Sequence, residues 1–324
     1  MNMAIGGYFE LELPEPRPFL YPMAYQFQSA RAAFLALLRA GRPSRVFMPH
    51  YLCDSMLLSL EKAGVECVFY SMDAGFNICD DIDLRATDWL LYVNYFGVCG
   101  NSIDRLRARY APRQLVLDHS QAFYAAPRDC LATIYSPRKF FGVPDGGLLL
   151  TALPVCEAQG MDQGSLARAS SGLTRLAQTA EAGYAAYQEA EASLEQCEPL
   201  EMSQLSRRIL HSVDIEAARM RRNANFAFLH QQLGSYNALA LDLDSIDGPL
   251  CYPLLADATD LRAHLIRERI FVATYWPEVA SRVGMLSQER EWVRNLLPLP
   301  CDHRYGLAEM QRIAQTCLPF LSGG

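Results

Sequence analysis

Asp118, Gln121, Ser136 and Lys139 fall in that order within one stretch, LVLDHSQAFYAAPRDCLATIYSPRKFFGVPDGGLLLT, which also carries the pair Gly146-Gly147. A carboxylate followed by a lysine suits pyridoxal phosphate chemistry, in which the lysine holds the aldehyde as an imine and the carboxylate keeps the ring nitrogen protonated. The protonated ring is then the electron sink. A lysine becomes nucleophilic when its pKa falls, as a desolvated site beside another cation arranges, and Arg138 is the adjacent cation. A hydroxyl three residues before the lysine, Ser136, is available to the phosphate, and the glycine pair lets the backbone approach closely. Taken singly, an Asp at a strand end is usually a cap or turn residue and a Lys is usually solvated. Their joint order points to a cofactor pocket.

These residues need elements to position them. Leu115 to Leu117 is a short apolar run that reads as a buried strand, with Asp118 at its carboxyl edge and Gln121 just beyond. Ala132 to Tyr135 reads as the next strand, and Gly142, Pro144 and Gly146-Gly147 turn the chain into a third at Leu148 to Thr151. Upstream, Ser29-Ala30-Arg31 opens a helical run with Ala30, Phe34, Leu37 and Leu38 on one face. A helix N-terminus favours an anion, although a serine there is also an ordinary N-cap. Arg45 to Met48 (strand), Leu52 to Ala63 (helix ended by Gly64), Val65 to Tyr70 (strand), Trp89 to Val93 (strand) and Ser102 to Arg109 (helix) alternate. That alternation implies a mainly parallel sheet with helices on both faces.

At these residues the chain resembles the DegT/DnrJ/StrS family of sugar aminotransferases, of the fold-type I pyridoxal phosphate superfamily. Asp118 falls where the family has its ring-nitrogen aspartate, Gln121 where a glutamine contacts the phenolic oxygen, and Lys139 where the Schiff-base lysine lies. Asp145 stands where glutamate is usual, and Ser29-Ala30-Arg31 where Ser-Gly-Thr or Ser-Gly-Arg is common. Pro49-His50-Tyr51 occupies a strand end that lines the cofactor face in the family, making Tyr51 a ring-contact candidate beside its plain reading as core. Asn94 or Tyr95 would face substrate. Pro199-Leu200-Glu201-Met202 replaces an Asn-Tyr-Arg-Met motif whose asparagine reaches the partner subunit's phosphate, with only the methionine and the following serine kept.

The resemblance implies an α/β fold with a three-layer large domain over residues 1–212 and a smaller α+β domain over 213–324. It implies transfer of an amino group from an amino acid, glutamate, to a nucleotide-linked keto-sugar. Lys139 and Asp118 would be catalytic, with Ser29, Ala30, Arg31, Tyr51, Gln121 and Ser136 holding pyridoxal 5'-phosphate beside them. A homodimer would share the site. Two alternatives remain open: a different reaction with the same cofactor, and a non-catalytic homologue that binds a ligand. The retained lysine argues against the family's sugar dehydratases, in which histidine replaces it.

The rest of the sequence agrees with this class. The formal net charge of −7 is unsuited to a broad nucleic-acid surface. Ten cysteines without CxxC pairs favour reduced thiols and a cytoplasmic setting, and six histidines without zinc spacing give no metal site. No apolar run approaches the length of a membrane span. Gly6 to Tyr21, with its prolines, reads as an extended arm that forms an edge strand, wraps a partner subunit or covers its own domain. Cys156 to Pro199 reads as helical with breaks near Gly172 and Gly183, and Met202 to Leu233 as one long helical region. Arg219, Arg221 and Arg222 read as a solvated face rather than a phosphate site. Asp257 to Phe271 reads as a helix running into a strand. Arg304 and Tyr305 read as surface packing rather than a substrate contact.

Overall fold

The computed structural model describes residues 5–322 except Glu157, Gln196, Cys197 and Thr259. The strands β1 (Tyr25–Phe27), β2 (Arg45–Pro49), β3 (Glu66–Tyr70), β4 (Trp89–Val93), β5 (Leu115–His119), β6 (Ala132–Tyr135) and β7 (Gly147–Thr151) form one sheet. Its order is β1-β7-β6-β5-β4-β2-β3. The pairs among β2 to β6 are parallel, and β7 runs antiparallel to both of its neighbours. Every residue of β4, β5 and β6 is buried, as expected of strands covered on both faces. The helices α1 (Ala30–Gly41), α2 (Asp54–Ala63) and α3 (Gly100–Arg109) connect the early strands.

The helix α1 is made of strong helix formers and is buried continuously from Ala32 to Leu38, which fixes it against the sheet. Ser29 is its N-cap, in extended conformation, with Oγ accepting the Ala32 N–H at 3.2 Å. Beyond the sheet come α4 (Ser165–Ala177), α5 (Tyr184–Ala192), α6 (Gln204–Ser212) and α7 (Ile215–Leu233). The C-terminal third holds α8 (Leu261–Arg267), α9 (Val279–Arg282), α10 (Gln288–Asn295), α11 (Leu307–Leu321) and a two-stranded antiparallel sheet of β8 (Tyr252–Leu255) and β9 (Leu296–Leu299). One hydrophobic core runs from α1 and the large sheet into this third, where Tyr51 meets Trp276 and Trp292 with ring centroids 4.8 and 5.1 Å away. Among the described residues no helix is long and apolar enough to cross a membrane. The cysteines are free thiols there too, with Cys197 outside the described residues.

Three sequence expectations are corrected. The helix α4 runs through Gly172, because a lone glycine on an open face weakens a helix without removing a hydrogen bond. The break falls instead between α4 and α5, at Gln178 to Gly183. The region from Met202 to Leu233 is two helices, since Asp214 caps α7 by accepting the Ala217 N–H at 2.9 Å. The helix near Asp257 is followed by no strand: Arg269, at φ 58°, turns the chain, and Ile270 and Val272 enter the core without a ladder. The small sheet forms elsewhere, and its two prolines, Pro253 and Pro298, lie opposite each other in the register. A two-stranded ribbon tolerates them because each strand has an outer edge that needs no donor.

The N-terminal arm is extended, with no helix or strand before β1 among the described residues. Its second half is tied to its own chain. The Arg17 N–H donates to the His211 carbonyl at 2.6 Å, and the Arg17 guanidinium pairs with Asp214 at 2.5 Å. Tyr21 stacks on Tyr135 at 4.2 Å. Nearer the start of the arm, Ile5, Tyr8 and Phe9 are almost fully exposed.

Gly147 packs its Cα against the Ser29–Ala30 peptide, and a Cβ there would stand 2.1 Å from the Ser29 carbonyl carbon. Gly147→Ala should therefore cost about 2 kcal/mol or more, as overpacking against backbone does. Gly172→Ala, with nothing within 4 Å of the added carbon, should stabilise by about 0.5–1 kcal/mol. Denaturant unfolding of the two variants gives shifts of opposite sign if these contacts are as described.

Candidate active site

The carboxyl ends of the parallel strands gather the polar residues. Asp118 and His119 end β5, Ser136 follows β6, and a short 3-10 turn over Pro137–Lys139 comes next. Because β1 and β6 both run antiparallel to β7, the chain leaving β1 and the chain entering β7 meet at this same edge. Ser29 bridges Gly146 there, and the Gly146 N–H donates to the Gln28 carbonyl at 2.7 Å. Gly146 has φ 141°, and a side chain on it would run into Pro137 at 2.9 Å. The N-terminus of α1 is thus packed on the turn that carries Lys139. No acidic residue sits in the first turn of α1, so no carboxylate side chain there offsets the positive end of its dipole.

Asp118 is buried, and its Oδ1 accepts the Ser120 N–H at 2.8 Å. Gln121 is also buried. Its Oε1 accepts the Phe96 N–H at 2.9 Å, whereas its Nε2 has no hydrogen-bond partner among the described residues. A buried amide donor with no partner costs free energy unless a ligand accepts from it. Ser136 is buried and its hydroxyl does not cap the turn, while its carbonyl accepts the Lys139 N–H at 3.2 Å. Lys139 itself is exposed on this side of the single chain.

The loop between Lys139 and the glycine pair is held from below. The Asp145 carboxylate is fully buried at the N-terminus of α6, accepting the Ser203 N–H at 2.9 Å and the Ser203 hydroxyl at 2.6 Å. Met202 and Ser203 are therefore used within this chain: Met202 packs beside Gly146, and Ser203 both caps α6 and holds Asp145. The Pro199–Met202 segment runs beside β1, with the Leu200 N–H donating to Gln28 Oε1 at 2.8 Å and the Gln28 N–H donating to the Leu200 carbonyl at 3.0 Å.

Other expected residues sit elsewhere. Tyr51 is fully buried among Tyr95, Trp276 and Trp292, and burial pushes its phenol well above the ordinary value. Its ring serves the core that joins the sheet to the C-terminal third. Tyr95 lies in the same cluster, its hydroxyl donating to the Tyr51 carbonyl at 2.7 Å, and Asn94 Oδ1 accepts the Cys99 N–H at 3.0 Å. Arg31 reaches the Leu194 carbonyl at 3.4 Å, and Ala30 abuts Gly147. Arg138 pairs with Glu191 of α5, so its charge is compensated. Arg304 pairs with Asp302 and stacks over Tyr305. Of the α7 arginines, Arg219 pairs with Glu216 and Asp247 at the surface, but Arg222 is buried, which corrects its reading as solvated.

Sequence reasoning also passed over His119, the neighbour of Asp118 on the opposite face of β5. It is buried, edge-on to Tyr135 at 5.3 Å, with neither ring nitrogen hydrogen-bonded among the described residues. A recess of about 320 Å³, lined by Ala256, Arg262, Arg294 and Leu297, lies in the C-terminal third.

No family model matches the chain, and no curated protein does either. Solved structures do match. The sugar aminotransferase CalS13 from Micromonospora echinospora aligns over 93% of this chain and 87% of its own, with a TM-score of 0.62 at 16% identity. NtdA from Bacillus subtilis, solved with bound cofactor PMP, aligns over 92% of this chain and 73% of its own, with a TM-score of 0.64 at 15% identity. Helicobacter pylori PseC, an aminotransferase involved in the biosynthesis of pseudoaminic acid, gives 93%, 87%, 0.57 and 14% for the same four measures. The chain has the fold of the sugar aminotransferases, a mostly parallel seven-stranded sheet with flanking helices.

Burial pushes the His119 imidazole down to about 3 from its ordinary 6.5. The unfolded chain takes up that proton first, so this group removes stability as pH falls from 6.5 towards 3, by up to about 1.4 kcal/mol per pH unit. His119→Phe should flatten the pH dependence of unfolding free energy within that window and leave it unchanged above it. Denaturant titrations inside and above the window would show an unchanged slope if His119 were hydrated in the folded state.

Proposed function

We propose that this protein is a pyridoxal phosphate-dependent aminotransferase that moves an amino group from an amino acid, glutamate, to a keto-sugar carried on a nucleotide. The observation that carries the reading is the unpartnered buried Nε2 of Gln121 on the same strand edge as Asp118, Lys139 and the N-terminus of α1. The residues fit the cofactor. Asp118 is a buried carboxylate available to hold the proton at the ring nitrogen, Gln121 Nε2 a donor for the phenolic oxygen, and the Ala30 and Arg31 amides with Ser136 a cradle for the phosphate. When bound, pyridoxal phosphate supplies the electron sink. Lys139 Nζ would hold it and would serve as the base that moves the proton at substrate Cα. The named activities of the structural neighbours support this class, and one of them, DesI, was solved with its TDP-sugar product.

In this reading residues 1–212 form the cofactor domain and 213–324 the smaller domain beside it, in a cytoplasmic enzyme. A second copy closes the side on which Lys139 is exposed. Leu166, Leu173 and Leu176 of α4 and Tyr184 and Tyr187 of α5 leave apolar surface in water, and Arg138–Glu191 joins α5 to the Lys139 turn. Closed two-fold pairs are the commonest soluble assemblies, and the exposed arm residues Tyr8 and Phe9 add to the surface a partner would cover.

Borohydride reduction of the protein loaded with pyridoxal phosphate should fix the cofactor to Lys139, read by peptide mapping. Label on another lysine overturns the assignment, and no uptake at all supports the non-catalytic homologue instead. For the assembly, Leu173→Asp with Leu176→Asp should leave the unfolding midpoint nearly unchanged, because both side chains are exposed in the single chain. Light scattering should then report a single chain of 36.3 kDa where the wild type gives twice that mass, with aminotransferase activity lost. A double variant that stays dimeric and active rules out this face.

A further inference from the structure

Arg222 lies on α7 with 1% of its surface exposed, and no carboxylate pairs with it among the described residues. Its Nη2 donates to the Phe140 carbonyl at 3.1 Å, and its Nη1 to the carbonyls of Pro249 at 3.0 Å and Leu250 at 3.2 Å. The guanidinium also lies over the Phe140 ring, 4.7 Å from the centroid. Phe140 directly follows Lys139. From Leu250 the connection continues: its N–H donates to the Phe96 carbonyl at 2.9 Å, and the Phe96 N–H donates to Gln121 Oε1 at 2.9 Å. One hydrogen-bonded path therefore runs from the turn bearing Lys139, through Arg222, to the side chain of Gln121.

A buried cation without a counter-ion is costly, and carbonyl dipoles offset that cost only when the donors are aimed at them. The planar fork of arginine meets divergent carbonyls that a neutral or single-point donor would reach only in part. Arg138, the cation nearest to Lys139 in sequence, is occupied by Glu191 and reaches none of these groups. Phe96 has φ 57°, a conformation a phenylalanine keeps only when its surroundings over-determine it, and the bonds on its N–H and carbonyl do so.

We propose that Arg222 is a positioning residue that holds the Lys139 turn in register with Gln121, so that the amine and the amide address one bound molecule. The proposal rests on the cofactor reading above for the identity of that molecule, but not for the contact itself. Arg222→Gln and Arg222→Lys would be made in the full chain and checked for native circular dichroism. Amide hydrogen exchange read by mass spectrometry should be about tenfold faster in Arg222→Gln over the segments containing Phe140 and Phe96, with α1 unchanged and Arg222→Lys intermediate. Borohydride-trapped capture of pyridoxal phosphate at Lys139 should slow about tenfold in Arg222→Gln. Wild-type exchange in folded Arg222→Gln overturns the proposal whatever the cofactor does, and so does faster exchange with an unchanged capture rate. A wild-type protein that captures no cofactor overturns the function proposed above, and the exchange comparison then decides the contact alone. If Arg222→Gln does not fold, Phe140→Leu, which removes the ring under the guanidinium, takes its place in both measurements with the same expected and overturning results.

Discussion

Two stretches of backbone touch where Gly147 meets the Ser29–Ala30 peptide, with no side chain between them. This contact makes the first strand, the first helix and the last strand of the large sheet into one unit. It sets the N-terminus of α1 level with the carboxyl ends of β5 and β6, and Gly146, bonded to Gln28 and packed on Pro137, brings the Lys139 turn to the same level. A methyl group at position 147 would separate these elements by more than hydrogen bonds tolerate. The geometry of that edge depends on that clearance.

Around this contact, polar groups are buried in a pattern that trades stability for fixed geometry. Asp145 is taken out of water but receives both donors of Ser203 at a helix N-terminus, where the dipole favours its charge. Arg222 is taken out of water against carbonyls alone. Gln121 is half satisfied, which is tolerable for a group that meets a ligand and wasteful for one that does not. His119 has no such compensation and stays neutral, packed on Tyr135. Position on one short strand separates the roles: Asp118 and His119 are adjacent and point to opposite faces.

The large sheet was legible because parallel strands buried on both faces are uninterrupted apolar runs. Trp89–Val93 and Ala132–Tyr135 were read to the residue, and Ser29 was read as the start of α1. Asp118, Gln121, Ser136 and Lys139 were singled out as candidates because they lie just past those runs, and the structure gathers them at that one edge. The small sheet was not legible, since proline is unfavourable inside a strand and only the mutual register of Pro253 and Pro298 in a two-stranded ribbon makes both harmless. Arg222 was hidden for a related reason. Four residues in a row, Arg219 to Arg222, include three arginines, and helix α7 is nearly balanced around its axis, so nothing local says which of them turns inward. Tyr51 shows the limit of position alone: a strand-end aromatic has the same sequence context whether it faces a ligand or, as here, two tryptophans from the far end of the chain.

The placing of β1 also governs the order in which the molecule is assembled. This strand is the first to be synthesised, yet its ladder partner is β7, more than a hundred residues later, with Tyr25 opposite Leu149. The arm before it waits longer still, for His211 and Asp214. While the chain grows, β2 to β6 pair among themselves, whereas β1 has no ladder partner until β7 is made. Pairings of such sequence separation carry the largest loop-closure cost and form late. The N-terminal end of α1 is therefore completed by the closing step of the sheet, and a nascent chain holds an unfinished edge until β7 has left the ribosome.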